Sequence, residues 1–351
     1  MIHVGMDLHH RSSVVRAVSG ETGELYPARR IYHDRMEELW QYLDCFGRQR
    51  IRVVFEAISN ARWMYRLLSQ RPNVEPVAVT PHKVRIIAET VSKTDRIDAG
   101  KLAWLSSVDM LPRAWLPDER VERLRELTRH RTALLGIQTR CKNEITSGLV
   151  RVGVLRPYDD IFGALGRRWL DEIRLPEVMR LQVDHWLALL DAIAGRIVRA
   201  AGRIDALLQA DPLWARAVVV LDSIPGVGKV TISTILAELG DWKRFRRRSQ
   251  VASFAGLVPT SKRSADSRRY GHISKRGSRE LRRVLTEVAQ GVARKVPRYG
   301  RLYERVARQK GANVAKTAVA RHLIEDAWTM LMKDEPFRLM PVQAESLTRV
   351  G

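Results

Sequence analysis

The chain has 351 residues, 45% of them hydrophobic, and carries 61 Lys and Arg against 39 Asp and Glu, a formal net charge of +22. That length allows two or three compact units with sizeable cores. So much like charge is most simply held by a polyanionic partner, because each phosphate contact releases counterions. A membrane-surface protein is disfavoured, since no basic amphipathic helix stands apart. No run of 18 apolar residues offers a membrane span, and in MIHVGMDLHHRSS the residues Asp7, His9, His10 and Arg11 interrupt any signal-peptide core. Two cysteines, Cys45 and Cys141, cannot build a zinc cluster alone and read as reduced thiols of a cytoplasmic protein.

The first hundred residues alternate short apolar runs with helical spacing. Strands are predicted at Ile2 to Leu8, Ser13 to Val18, Arg29 to Tyr32, Ile51 to Phe55 and Val74 to Thr80, and a helix at Met36 to Phe46. This pattern predicts an α/β domain, a mixed sheet covered by helices, over residues 1–115. Pro112 and Pro117 mark its end.

A helical middle follows over residues 116–210, with long helices from about Glu119 to Val150 and Val178 to Ala210. In the second, Trp186, Leu190, Ile193, Ile197, Ala200, Ile204 and Leu207 alternate steps of four and three, the seam of a coiled coil or helical hairpin. An ordinary core helix would show the same seam. The insert between the two helices, with Pro157 and Pro176, reads as irregular.

The remainder, residues 211–351, reads as mainly α. It opens on Ile224-Pro225-Gly226-Val227-Gly228-Lys229, the turn of a helix-hairpin-helix, with a helix from Val230 to Leu239. Gly226 and Gly228 let backbone approach a phosphate, and Lys229 sits at the following helix N-terminus. A Walker-type phosphate loop does not fit, because the glycine spacing is wrong. From Lys243 to Arg283 there are 14 Lys and Arg and only two acids, Asp266 and Glu280. Arg246, Arg247, Arg248, Lys262, Arg263, Arg268, Arg269, Lys275 and Arg276 in this stretch are the candidate nucleic-acid contacts. Further helices are predicted at about 278–296 and 313–333.

Four acids stand out by position. Asp7 and Glu56 end apolar strands, where an unpaired carboxylate is costly unless it has a task. Asp95 and Asp98, in SKTDRIDAGKLA, share one helix face at i and i+3 and repel unless a cation sits between them. Mg2+ suits such oxygen ligands, and two ions about 4 Å apart stabilise the attacking and leaving oxygens of a phosphoryl transfer. Taken singly, each acid also fits a turn or a helix start; the order strand-Asp, strand-Glu, helix-DxxD is the more specific feature. Lys93 and Lys101 flank the helical pair.

VGMDLHHRSSVVRAV, VVFEAISN and SKTDRIDAGKLA resemble the RNase H-like, RuvC-type domain of the insertion-sequence 110 family of transposases, which includes the Piv-type invertases. The resemblance implies a DEDD tetrad at Asp7, Glu56, Asp95 and Asp98. IPGVG, FAGLVP and HISKRGSRELRRVL are similar to the family's C-terminal transposase domain. That domain carries a nucleophilic serine in a Ser-Gly pair. The matching position is Ser264, although Ala265 stands where glycine is usual; Ser267 and Ser274 are the other candidates. The resemblance implies a recombinase that cuts and rejoins DNA through a covalent serine intermediate, works as a dimer or tetramer, and is guided to donor and target DNA by a bridge RNA. Two other readings stay open: a RuvC-like nuclease using only the tetrad, and a non-catalytic nucleic-acid-binding scaffold.

Overall fold

A computed structural model describes residues 1–87, 95–264, 267–274 and 276–338, the side chains of 85, 86, 261–264 and 267–270 excepted. The chain forms two compact units, Met1–Leu116 and Pro117–Gly351.

The first unit is built on β1 (Ile2–Leu8), β2 (Ser12–Ser19), β3 (Arg29–Tyr32), α1 (Glu37–Asp44), β4 (Ile51–Glu56), α2 (Ala61–Leu68), β5 (Val74–Val79), α3 (Pro81–Ile87) and α4 (Asp95–Ser107). The strands form one mixed sheet in the order β3-β2-β1-β4-β5. The β1–β2 and β2–β3 pairs are antiparallel, whereas β1–β4 and β4–β5 are parallel. Alternate residues of β1 face opposite sides of the sheet. Ile2, Val4, Met6 and Leu8 pack with Leu39, Leu43, Met64 and Leu68 of α1 and α2. The other side, reached by Val54, Val77 and Val79, packs on Leu102 and Leu105 of α4.

Gly5 permits the close approach of α4. A Cβ there would lie 1.8 Å from the Ala99 carbonyl oxygen and 2.6 Å from the Ala103 nitrogen. Near one end of β1, His3 Nδ1 lies 2.7 Å from Ser106 Oγ. The helix therefore runs antiparallel to β1, its C-terminal end over His3 and its N-terminal end over Asp7.

The second unit is almost wholly helical. It contains α5 (Glu119–Arg151), α6 (Ala164–Glu172), α7 (Glu177–Ala210), α8 (Pro212–Asp222), α9 (Lys229–Leu239), α10 (Arg248–Phe254), β6 (Pro259–Ser264), β7 (Ser267–Ile273), α11 (Arg279–Lys295), α12 (Pro297–Lys310) and α13 (Ala312–Lys333). Helices α5 and α7 pack along each other through Leu134, Cys141, Ile145 and Leu149 on one side and Met179, Val183, Leu187, Leu190 and Ile193 on the other. The heptad seam thus lies against its own chain as a helical hairpin, and its last apolar residue shifts, with Leu208 buried and Leu207 only half-buried. The insert expected to be irregular contains α6, whose Leu170 is buried in the α5–α7 core.

Two further differences follow from local chemistry. Within the region expected to be mainly α, the Arg-rich stretch forms the antiparallel hairpin β6–β7, with Ser264 paired to Ser267 and a bulge near Thr260. Helix α12 was not expected; it starts with Pro297 at a helix-compatible first position and ends at Gly311, φ +84°.

Helix α9 is enclosed on every side, with Thr231 to Gly240 all buried. It carries Glu238, 1% exposed. Arg129 donates to both of its carboxylate oxygens at 2.9 and 3.1 Å, and Ser278 Oγ donates to Oε2 at 2.9 Å. Arg125 donates to the Ala237 and Glu238 carbonyls at 3.1 and 3.0 Å. Ser278 also caps α11, its Oγ accepting from Leu281 N at 3.1 Å. One buried carboxylate thus ties together α5, α9 and α11. No helix among the described residues is long and apolar enough to cross a membrane.

Candidate functional site

The register of the sheet places the site. Asp7 lies two residues beyond Gly5 on the face under α4, about 6.6 Å along the strand. Asp95 lies four residues before Ala99, about 6 Å along the helix. Because strand and helix run antiparallel from the Gly5–Ala99 contact, these two offsets coincide and bring Asp95 over Asp7. Between them stands His9, just past the end of β1. Its Nε2 lies 3.2 Å from Asp7 Oδ2 and 3.5 Å from Asp95 Oδ2. One ligand atom from each of Asp7, His9 and Asp95 falls within 4.8 Å of the others.

Asp98 lies on the same helix, its Oδ1 3.0 Å from Lys101 Nζ. Its charge still reaches Asp7, whose pKa is raised first by burial and also by the Asp95 and Asp98 carboxylates, against the opposing pull of His9. Glu56 ends β4. The β1–β4 register runs to Met6 opposite Phe55, so Asp7 and Glu56 are the next residues on the two parallel strands. Glu56 is half-buried and shares with Val54 the face covered by α4. Asp7 and Asp95 are therefore joined through His9, Asp98 is within electrostatic range, and Glu56 occupies the neighbouring strand.

Sequence reasoning missed two residues here. His9 is one; the only signal was a histidine two positions after the strand-end acid. Arg30 is the other: its Nη2 donates to Asp95 Oδ2 at 2.6 Å, and its Nη1 to Ser12 Oγ at 3.1 Å. The Arg30 hydrogen bond is the first cause of the lowered pKa of Asp95, an effect that solvent screens at this exposed carboxylate. Around the site, Asn60 Nδ2 donates to the His9 carbonyl at 2.7 Å, and His33 Nε2 lies 2.8 Å from Ser13 Oγ, its ring 5.0 Å from that of Trp63 and tilted to it by 58°. The donor set of carboxylates and one imidazole fits a divalent cation.

In the second unit the Ile224–Gly228 turn connects α8 to α9. Gly226 has φ +95°, a conformation the turn requires, and a Cβ added there would lie 3.4 Å from the Gly291 backbone of α11. Gly228 is the N-cap of α9, with open space where a side chain would be. Lys229 is exposed and lies 3.5 Å from Asp205. Arg246 and Arg247 are exposed, as is Arg248, which lies 3.9 Å from Asp326. Arg244, beside them in sequence, is instead half-buried with its guanidinium over the Phe245 and Phe254 rings, and desolvation pushes its pKa down to about 10.

Ser264 ends β6 and Ser267 begins β7, while Lys262 pairs with Arg269 and Arg263 with Arg268 across the hairpin. Ser274 lies at the hairpin's root, its N–H donating to Val258 O at 2.8 Å. Arg276 is exposed; Lys93 and Lys275 lie outside the described residues.

Both units match known families. Residues 4–153 match the IS110 DEDD family, described as transposase, and residues 219–304 match the family described as Transposase IS116/IS110/IS902. These matches, on a carboxylate-bearing sheet and a basic helical region, define the class as insertion-sequence transposases. The chain belongs to the IS110 family of that class.

Among its relatives is a putative transposase of Sinorhizobium fredii, 26% identical over 69% of this chain and 58% of that protein. The transposase of insertion element IS1111A from Coxiella burnetii is 26% identical over 82% of this chain and 79% of its own length. A pilin gene-inverting protein of Moraxella bovis is 27% identical over 44% of this chain and 47% of that protein. The chain spans about half the length of several curated relatives that it matches.

Proposed function

We propose that this chain is the recombinase of an insertion sequence, cutting and rejoining DNA with Asp7, Glu56, Asp95 and Asp98 as cation ligands and Ser264 as nucleophile. The observation that carries this reading is the convergence of Asp7 and Asp95 from a strand end and a helix start. The sheet order and its half-parallel pairing support an RNase H-like, RuvC-type assignment for the first unit. The carboxylates would hold two divalent cations, Mg2+ in the simplest case. When bound, such cations stabilise charge on the attacking and leaving phosphate oxygens.

The chain's own groups do the rest. The Ser264 hydroxyl oxygen attacks the scissile phosphorus and loses its proton. The bond from phosphorus to the leaving strand breaks, and that strand's oxygen takes up a proton. The product is a serine phosphodiester that a second strand end resolves by the reverse step. The paired Lys262/Arg269 and Arg263/Arg268 rows place four cationic residues on the same hairpin as the serine, suited to charge developing on the phosphate. The exposed Gly228–Lys229 helix start and the Arg246–Arg248 run supply backbone-phosphate contacts with DNA or RNA. A bridge RNA and a second protomer are the partners this reading includes.

The test is incubation with element-end DNA and its flanking transcript, followed by denaturing electrophoresis for protein covalently joined to DNA. Wild type forms the adduct, whereas Asp7→Asn and Ser264→Ala do not. If Ser264→Ala still forms it, the nucleophile is Ser267 or Ser274. If Ser264→Ala cuts DNA normally and wild type forms no adduct, the chain is a carboxylate-only nuclease.

A further inference from the structure

We propose that His9 is itself a ligand of the cation site, so that the site offers an imidazole nitrogen beside its carboxylate oxygens and prefers manganese to magnesium. This rests on the reading of Asp7 and Asp95 as cation ligands. The first observation is position. Nε2 of His9 lies 3.2 Å from Asp7 Oδ2 and 3.5 Å from Asp95 Oδ2, within reach of two carboxylates that come from different elements. A single cation placed among these atoms meets all three residues, since their ligand atoms fall within 4.8 Å of one another.

The second observation is how the ring is held. His9 follows directly on β1, and both of its backbone polar groups are fixed. Its N–H donates to Ser12 O at 2.9 Å, closing the turn into β2. Its carbonyl accepts from Asn60 Nδ2 at 2.7 Å, which ties that turn to the start of α2. The ring therefore projects from a backbone pinned on both sides, with only its own side-chain torsions left to set. The side chain is 45% exposed, so it is not an apolar core histidine that meets the acids by accident of packing.

The third consideration is chemical. Magnesium demands oxygen ligands in near-ideal octahedral geometry and gives up its waters reluctantly. Manganese accepts imidazole more readily, as the first-row divalent ions do in general. A four-carboxylate set gives no reason to prefer one of the two ions. Adding His9 gives one, and it is a property of this chain's own strand-end sequence, DLHH. The competing description is that His9 only forms an ion pair with the acids and stays outside the coordination sphere. Arg30 already donates to the same Asp95 oxygen at 2.6 Å, closer than His9 at 3.5 Å, so a second ion-pairing cation is not needed there.

The experiment uses the full chain with Mn2+ alone, without nucleic acid, and pulsed electron paramagnetic resonance to detect nitrogen-14 coupling to the bound ion. Wild type should show a directly coordinated nitrogen. His9→Ala should lose it and weaken Mn2+ binding by on the order of tenfold. Mg2+ affinity, measured by competition, should change by less than about twofold. His10→Ala should keep the coupling. His9→Asn, which retains a polar group in the turn, should bind Mn2+ without the nitrogen signal and covers the case in which His9→Ala fails to fold. Mn2+ bound to wild type with no nitrogen coupling, or coupling that persists in His9→Asn, would overturn the assignment of His9 and leave the carboxylate reading standing. Mn2+ binding that is absent from wild type, or unchanged in Asp7→Asn, would overturn both.

Discussion

Gly5→Ala tests the geometry that assembles the site. The added Cβ would lie 1.8 Å from the Ala99 carbonyl oxygen and 2.6 Å from the Ala103 nitrogen. Both are backbone atoms of α4, so no side-chain rotation relieves the clash. Ordinary contact begins near 3.4 Å, and the helix must therefore retreat from β1 by about 1.6 Å at that point. Overpacking of this kind costs about 1–3 kcal/mol, and a backbone clash belongs at the upper end. For a unit of this size that lowers the melting temperature by roughly 10 °C or more.

The same retreat carries Asp95 away from His9 and Asp7. If these acids hold the catalytic cations, as proposed, a misplacement of about 1 Å costs on the order of a hundredfold in rate. The assays are thermal unfolding and DNA strand cleavage on the same preparation. Gly136→Ala is the control: nothing lies within 4 Å of the new Cβ, it sits inside α5, and it should leave stability equal or slightly raised. A Gly5→Ala protein that melts within about a degree of wild type and cleaves normally would refute the packing of α4 on β1.

Three other outcomes follow from the structure. Burial raises the Asp7 pKa, so ionising it costs folding stability, and that cost grows as pH rises through its folded pKa. Metal-free Asp7→Asn should accordingly melt higher than wild type at neutral pH, with the gap closing as pH falls below the carboxylate range; a gap that widens toward acid has the sign wrong. Ser278→Ala removes a helix cap and one bond to Glu238, about 1 kcal/mol, whereas Glu238→Ala opens the junction among three helices and should cost about 3–5 kcal/mol. Urea midpoints measure both, and the reverse ranking would show that Glu238 is not the joint. Replacing Arg246, Arg247 and Arg248 with Ala should weaken nucleic-acid binding uniformly across sequences, lowering the salt slope by about 1 per lost phosphate contact. An unchanged slope would make that run a solvated surface only.

The mixed sheet and the long helices were legible because their residues repeat with a clear period. Ile2–Leu8 and Ile51–Glu56 are short β-rich runs, and α5 and α7 carry apolar residues at helical spacing over many turns. The hairpin β6–β7 was not legible: PTSKRS and SRRYGHI show no alternation of apolar and polar residues. Helix α12 opens on PRYG, and a proline and a glycine within one turn weigh against a helix in the sequence alone. Within the site, the acids were visible from their places at strand ends and on one helix face, but their nearest partners were not. His9 becomes a neighbour of Asp95 only because α4 crosses β1, and Arg30 reaches Asp95 across 65 residues of sequence. Glu238, in a helix of otherwise small and apolar residues, looks solvent-facing until Arg129 arrives from 109 residues away.

The hairpin that ends at Ser264 and Ser267 is rooted firmly. Ser274 N–H donates to Val258 O and Ser278 N–H to Phe254 O, both at 2.8 Å, and at Gly277 an added Cβ would lie 2.1 Å from the Phe254 oxygen. From Pro259 to Ser264 the strand extends about 17 Å. Ser264, the nucleophile proposed above, thus ends a strand of set length, and its reach changes only in steps. Lengthening both strands by two residues would move Ser264 outward by about 7 Å and keep its place in the strand's two-residue alternation, while lengthening both by one would reverse that place. If Ser264 is the nucleophile, insertions in this arm are tolerated in pairs and fail singly.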